Sequence, residues 1–143
     1  MALRMAALAA REAGQDVLVI EADAVPSGST ALSAGLIPAA GTRFQRAVGI
    51  ADDAAVFATD IQTKAKGEND PALVAAMAET SSEVIEWLVD QHGLPFSLVT
   101  DFDYPGHQRR RMHGLPSRSG RELIDALRAA ATALKTVSRS AIG

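Results

Sequence analysis

Cysteine is missing from the 143-residue sequence, and aromatic residues make up only 4% of it. The first absence excludes disulfides and thiolate metal sites and is compatible with a cytoplasmic protein. The second, with abundant alanine, means that little apolar area is buried per residue, so we expect a lone domain of this composition to be marginally stable. No apolar run approaches the roughly 20 residues that a membrane-spanning helix needs. Charged side chains also interrupt the alanine-rich start of the chain (Arg4, Arg11 and Glu12), which argues against a secretory signal.

The charge balance excludes further functions. A net charge of −3 gives no general attraction to nucleic acids or to anionic membranes. No group of histidines and carboxylates has the spacing of metal ligands, and no serine, histidine and aspartate follow in an order typical of a triad. With 48% apolar and 22% charged residues, the composition is that of one globular domain. We expect no metal and no nucleic-acid partner.

Helical periodicity and end signals predict four helices, at about residues 2–13, 53–66, 71–91 and 120–134. Glycine favours a helix C-terminus, whereas short polar side chains cap helix N-termini, most strongly before proline or in a capping box. Gly14 is the expected end of the first helix. The expected N-caps of the other three helices are Asp52 or Asp53, Asp70 before Pro71, and Ser119, which forms a capping box with Glu122.

Two strands and two loops are predicted between these helices. The run "VLVI" at 17–20 is typical of a central parallel strand covered on both faces, and "PFSLVT" at 95–100 favours a short strand. Residues 24–50 are dense in small and polar residues, and a loop of that length in a compact domain is usually either functional or disordered. Its moderate hydrophobicity argues against disorder. Residues 101–118 are predicted as a second loop. A helix joined by a tight turn to a buried strand is half of a βαβ unit, which predicts an α/β fold.

The stretch after the first predicted strand suggests a nucleotide. An acidic residue at a strand tip, here Glu21, can accept hydrogen bonds from both hydroxyls of a ribose, although a solvated glutamate is an equal alternative. Gly28 allows close approach of the backbone. The hydroxyls and amides of Ser29, Thr30 and Ser33 can bind phosphate oxygens, although an ordinary turn is the commoner meaning of such a loop. Together the two features favour a nucleotide cofactor.

The segment "VLVIEADAVPSGSTALSAGLIPAAGT" resembles FAD-dependent oxidoreductases of the fumarate reductase/succinate dehydrogenase flavoprotein type, including their ketosteroid dehydrogenase-like relatives. The resemblance continues through "IEWLVDQHGLPF", "YPGH", "RMH" and "SGRELIDALRAAA", from about Leu3 to Leu134. It implies a single partial Rossmann-like FAD-binding domain over 1–143. Residues 1–50 are then an incomplete dinucleotide-binding part, lacking the first strand and its GxGxxG, and 51–143 are a mostly helical continuation.

The resemblance implies that FAD is the cofactor. Glu21 would bind the adenosine ribose, and Gly28, Ser29 and Thr30 would lie along the pyrophosphate. The residues implied near the flavin end are Ser33, Ala34, Gly35 and Leu36. Two departures from the family pattern stand out: Ser27 and Leu36 occupy positions where many members have glycine.

The basic loop "YPGHQRRRMHGLPSRSGR" is the remaining candidate. Arginine suits carboxylates because its two-pronged guanidinium matches both oxygens, whereas a solvated basic loop is the alternative. The resemblance implies that His107, Arg111 and His113, together with Gly106, border the flavin and substrate region. No catalytic residue is assigned, since the family's acid or base belongs to later domains.

The function that the resemblance implies is hydride transfer at a carbon–carbon bond of a small carboxylate or a ketone-conjugated alkene. The electron partner is not assigned. Because the first strand of the dinucleotide fold is missing, we expect the chain alone to be inactive and to bind FAD weakly or not at all. A small stand-alone helical interaction domain without catalytic activity is the alternative.

Overall fold

A computed structural model of the chain describes residues 2–20 and 28–133. In chain order its elements are α1 (Ala2–Glu12), α2 (Ser29–Leu32), β1 (Ile37–Pro38), α3 (Arg43–Ala47), α4 (Ala54–Lys64), α5 (Pro71–Asp90), β2 (Ser97–Leu98), β3 (Met112–Gly114) and α6 (Gly120–Ala133). They divide into two compact units, one within residues 1–35 and 118–143 and the other over 36–117.

In the first unit α1 and α2 pack against α6. Apolar side chains at helical spacing are buried on α1 and α6: Ala7, Leu8, Leu123, Ile124 and Leu127. The turn after α2 approaches the start of α6 so closely that only glycine fits there. The Gly120 N–H donates to the Ser33 carbonyl at 2.8 Å. A methyl group on Gly120 would overlap the Thr30 carbonyl oxygen and lie 2.7 Å from its carbonyl carbon.

In the second unit α4 packs against α5, and a three-stranded antiparallel sheet has the order β1-β3-β2. The core between the helices includes Phe57 and Ala78 with Ala40. Strand β3 is central and buried throughout, and its His113 is in register with Ile37 on one side and Leu98 on the other. This position fixes the residues just before β3 against α3 and α4.

The predicted helices and their ends are confirmed within the described residues. The Asp53 carboxylate accepts from the Val56 N–H at 2.8 Å, and Asp70 accepts from the Ala72 N–H at 2.8 Å. The Ser119 hydroxyl accepts from the Glu122 N–H at 3.2 Å. Gly14 follows α1 with a φ of 77°, which is the left-handed conformation that glycine tolerates.

The predicted buried strand at 17–20 is wrong. Residues 15–20 form no regular secondary structure, and Leu18 and Ile20 are 60% and 80% exposed. A parallel strand requires a neighbour to satisfy its N–H and C=O groups, and all three strands in the described residues pair with one another instead. Glu21, expected at the tip of that strand, lies outside the described residues.

Three other boundaries also need correction. The predicted loop at 101–118 contains the central strand β3, and the predicted loop at 24–50 contains α2, β1 and α3 within its described part. The strand predicted at 95–100 is shorter and spans Ser97–Leu98. These elements have two to five residues, too few for periodicity to reveal them. Within 2–20 and 28–133, no helix combines the length and the apolar composition needed to cross a bilayer.

Candidate functional site

The turn at Gly28 is open and rich in hydrogen-bond donors. Gly28 has a φ of 92° and is exposed, and a methyl group placed on it would meet no atom within 4 Å. The N–H groups of Ser29 and Thr30 begin α2 and donate no hydrogen bond to any described residue. Two such backbone donors beside a glycine can approach an anionic oxygen closely.

The Ser33 hydroxyl shapes the next turn. It donates to the Thr30 carbonyl at 2.8 Å and accepts from the Gly35 N–H at 3.1 Å. Gly35 has a φ of 62°, and a methyl group on it would lie 2.6 Å from the Ser119 carbonyl oxygen. Ala34 between them is exposed. The backbone path at 33–35 is thus determined by internal contacts.

A fully buried ion cluster fixes the segment before β3 in the second unit. The Arg111 guanidinium donates twice to Asp52, at 2.9 Å each, and once to Asp60 at 2.5 Å. The side chains of Arg111 and Asp52 have no exposed surface, and that of Asp60 has 4%. Gln108 donates to the two Asp60 oxygens through its N–H and its side-chain amide, at 2.9 and 2.7 Å. The charges therefore bind one another instead of facing a ligand.

Gln45 and His113 extend this cluster to α3. The Gln45 amide donates to Asp52 and to the Arg110 carbonyl, both at 2.8 Å, and its oxygen accepts from the Thr42 N–H at 3.1 Å. The Thr42 hydroxyl lies 2.9 Å from His113 Nε2, and His113 Nδ1 lies 2.9 Å from the Arg111 carbonyl oxygen. Since a carbonyl can only accept, Nδ1 carries the proton and Nε2 accepts from Thr42.

Burial determines the protonation of these groups. Desolvation lowers the pKa of His113, and this outweighs its backbone hydrogen bonds and the nearby Glu86 charge, which act to raise it. Burial alone would raise the pKa of Asp60, but the donors of Gln108 and Arg111 outweigh it and hold that pKa below its ordinary value. At neutral pH the cluster therefore contains a neutral imidazole and an ionised carboxylate.

Acidification below pH 6.5 is expected to destabilise the 36–117 unit through His113. Because the folded pKa of His113 lies below 6.5, the unfolded chain binds more protons as pH falls from 6.5 through that folded pKa. Each pH unit within that window costs up to about 1.4 kcal/mol per titrating histidine. Urea unfolding at pH 7.5 and 5.5, followed by Trp87 fluorescence, should show the loss, and His113→Gln should show a smaller one. Equal losses in both proteins would contradict this origin.

His107 lines a cavity of about 530 Å³ in the same unit. Its ring contacts those of Phe57 and Tyr104, with centroids 5.9 and 4.9 Å apart. The other lining residues are mostly apolar and include Leu36, Ile61, Met77 and Met112. Burial, followed by the charge of Arg111, lowers the pKa of His107, so its ring is neutral at pH 7.

Comparisons with known proteins identify the family of the chain. Residues 2–141 match the family model for the FAD binding domain. The chain belongs to this family. The chain is similar to the structure of a flavocytochrome c3 fumarate reductase in its open conformation, with a TM-score of 0.82 and 32% sequence identity. The match covers 95% of this chain and 24% of the reductase chain. FAD is thus the cofactor of this FAD-binding domain.

Curated relatives of the FAD-binding domain are reductases. A probable fumarate reductase, Ifc3, of Shewanella frigidimarina is 34% identical over 88% of this chain. A urocanate reductase of Eggerthella lenta is 32% identical over 71% of it. The chain spans 21% and 17% of the lengths of these two relatives.

The turn at Gly28 has what a diphosphate group of FAD requires, namely open space and two N–H groups that have no acceptor among residues 2–20 and 28–133. Sequence reasoning for the basic loop selected three residues that the structure places in different surroundings. Arg111 and His113 are buried in the ion cluster, whereas His107 faces the cavity.

Sequence reasoning missed Thr42, Gln45 and Asp60 and considered Asp52 only as a helix cap. The spacing of Thr42 and Gln45 matches a capping box, which the structure contains, so that pair could have been found. The role of Asp60 depends on a partner 51 residues away and leaves no local signal.

Proposed function

We propose that this chain is the FAD-binding part of a flavoprotein reductase that acts on a carbon–carbon double bond in a small carboxylate or a ketone-conjugated alkene. The main support is the family match over residues 2–141, together with relatives named as fumarate and urocanate reductases. We treat 1–143 as one partial domain, with 1–50 as its dinucleotide-binding part and 51–143 as its continuation, in a cytoplasmic protein. The electron partner is left unassigned.

Within this proposal the chain's role is to hold and orient FAD. Gly28 lets the backbone approach the pyrophosphate, and the N–H groups of Ser29 and Thr30 donate to its oxygens. Glu21 accepts from the adenosine ribose. The residues at the flavin end are Ser33, Ala34, Gly35 and Leu36. Bound FAD supplies a hydride donor and acceptor at its ring system.

The basic loop contributes to the substrate region in two ways. His107 lines the cavity and is the residue of this loop that we propose borders the substrate. Arg111 and His113 act as positioning residues, because their buried contacts fix the backbone at the start of β3. A carboxylate substrate would then depend on cations outside this cluster, since the Arg111 donors are already bound to carboxylates.

Reduction of substrate by these 143 residues alone is not expected, because they correspond to about a fifth of the length of the relatives. We expect the purified chain to bind FAD weakly and to show no turnover with fumarate and a reduced dye. A flavin spectrum that stays with the chain through gel filtration would contradict weak binding. A stand-alone interaction domain, the alternative, predicts that FAD leaves the thermal unfolding midpoint unchanged.

Gly28→Ala is expected to weaken FAD binding about tenfold or more. The added methyl strains a backbone that only glycine adopts readily, and it separates the N–H donors from the pyrophosphate. Flavin fluorescence titration measures the loss. Gly49→Ala is the matched control, because Gly49 also has a positive φ, of 75°, and open space around it but lies outside the proposed site. Equal FAD affinity in the two variants would overturn the role of Gly28.

A further inference from the structure

The turn that we propose binds FAD is supported by a segment far along the chain, the start of α6. The Gly120 N–H donates to the Ser33 carbonyl at 2.8 Å. Gly120 is buried, and it lies so close to the Thr30 carbonyl that a methyl group on it would overlap that oxygen. The two backbones therefore contact each other with no side chain between them.

A second close contact lies directly before α6. A methyl group on Gly35 would be 2.6 Å from the Ser119 carbonyl oxygen, a distance that Cβ atoms essentially never show. The Ser33 hydroxyl donates to the Thr30 carbonyl and accepts from the Gly35 N–H, so residues 30–35 are bonded to one another. A displacement at the start of α6 would thus reach the whole segment.

The open side of the turn gives it no comparable support. Gly28 is exposed, and a methyl group placed on it would meet no atom of the described residues within 4 Å. The position of the turn therefore depends on the contact of Thr30 with α6. Because the Thr30 carbonyl and N–H belong to one residue, moving the carbonyl also moves the donor. A donor that is already in place loses little conformational freedom when a ligand binds, which favours affinity.

We propose that Gly120 is a positioning residue for FAD, which holds the backbone donors of the turn where the diphosphate binds. The inference rests on the proposed function and adds α6 to the elements that determine FAD affinity. The effect is reciprocal, because binding free energies at coupled sites are linked. FAD should therefore stabilise the start of α6 to the same extent that α6 favours FAD.

Gly120→Ala in the full chain should weaken FAD binding about tenfold, as expected when one hydrogen bond to a charged group is lost. ADP carries the same diphosphate without the flavin, so its affinity should fall by the same factor. Flavin fluorescence titration measures the affinity for FAD, and titration calorimetry measures that for ADP. Both are carried out at a temperature where far-UV circular dichroism shows that the variant is folded.

Leu127→Ala is the matched control, because it destabilises the same helix without touching the turn. Leu127 is fully buried, and truncating a buried leucine leaves a cavity that lowers stability. It lies about two helical turns beyond Gly120. Its affinities for FAD and ADP should equal those of the unchanged chain, which separates positioning from a general loss of stability.

If either variant does not fold, amide hydrogen exchange in the unchanged chain gives a test of the same coupling. FAD should slow exchange of the Gly120 N–H more than that of the Leu127 N–H, since only the first donates to the turn. A ligand that merely stabilises the folded unit by mass action would slow both amides alike.

Several outcomes would overturn the positioning role. These are unchanged FAD affinity in Gly120→Ala, equal losses in Gly120→Ala and Leu127→Ala, a loss for FAD that ADP does not share, or equal slowing of the two amides. Absence of FAD binding to the unchanged chain would reject the proposed function and this inference with it. FAD binding combined with any of the four other outcomes would reject the role of Gly120 alone, so the two failures are distinguishable.

Discussion

Arg111→Met is expected to destabilise the 36–117 unit by about 3–5 kcal/mol, the cost of breaking a buried ion pair on one side. The substitution leaves the Asp52 and Asp60 carboxylates buried without their cation, so each must be neutralised or hydrated. Gln45 and Gln108 would still donate to them, but amide donors carry no charge. Urea unfolding followed by the fluorescence of Trp87, the single tryptophan, measures the change.

Arg110→Met is the matched control, because the same change is made one residue earlier. Arg110 also pairs with a carboxylate, that of Asp103 at 2.6 Å, but the two side chains are 41% and 74% exposed. Water and salt screen such a pair, so its loss should barely change the free energy of unfolding. Similar small effects in both variants would show that the buried cluster adds no stability.

Gly120→Ala is expected to destabilise the unit formed by residues 1–35 and 118–143 by about 3 kcal/mol, at the upper end of the range for overpacking. The added methyl would overlap the Thr30 carbonyl oxygen and lie 2.8 Å from Ser33 Oγ. Backbone atoms cannot move aside as a flexible side chain does, so the turn after α2 must separate from α6. Without this clash, alanine would stabilise the helix relative to glycine by up to about 1 kcal/mol. Whether the substitution lowers or raises the free energy of unfolding therefore decides between the two cases.

Far-UV circular dichroism during urea unfolding should detect this loss, with Trp87 fluorescence reporting on the other unit. Gly49→Ala is the control for backbone strain without a clash, since its added methyl meets no atom within 4 Å. A positive φ costs a non-glycine residue about 1–2 kcal/mol, so we expect a smaller loss there. A stabilised Gly120→Ala variant would contradict the close packing of α2 on α6.

The longer helices could be predicted from sequence because their signals are local. Asp53, Asp70 and Ser119 each cap a helix through an N–H two or three residues away, and those spacings are visible in the sequence. The run at 17–20 shows the limit of such reasoning. Its composition favours a strand, but a strand needs a neighbour, and none of the described strands pairs with it.

The candidate site divides in the same way. Glu21 and the turn at Gly28 could be proposed from sequence because cofactor-binding residues follow one another along the chain, and their roles stay predictions. Arg111 and His113 were selected for their chemistry, but their burial follows from contacts with Asp52, Asp60 and Thr42 that are far away in sequence. The cavity beside His107 could not be predicted at all, because several separate segments line it.

The wide sequence separation within the ion cluster also affects the order of folding. Arg111 lies 59 residues from Asp52 and 51 residues from Asp60, so their contacts close long loops and lose much chain entropy. Helices α4 and α5 form through local contacts, and their residues can order before these loops close. The charged groups of Arg111, Asp52 and Asp60 are therefore expected to lose their hydration late in folding, after most of the unit has formed. Contacts that form after the transition state slow unfolding more than they speed folding, so we expect the cluster mainly to lower the unfolding rate.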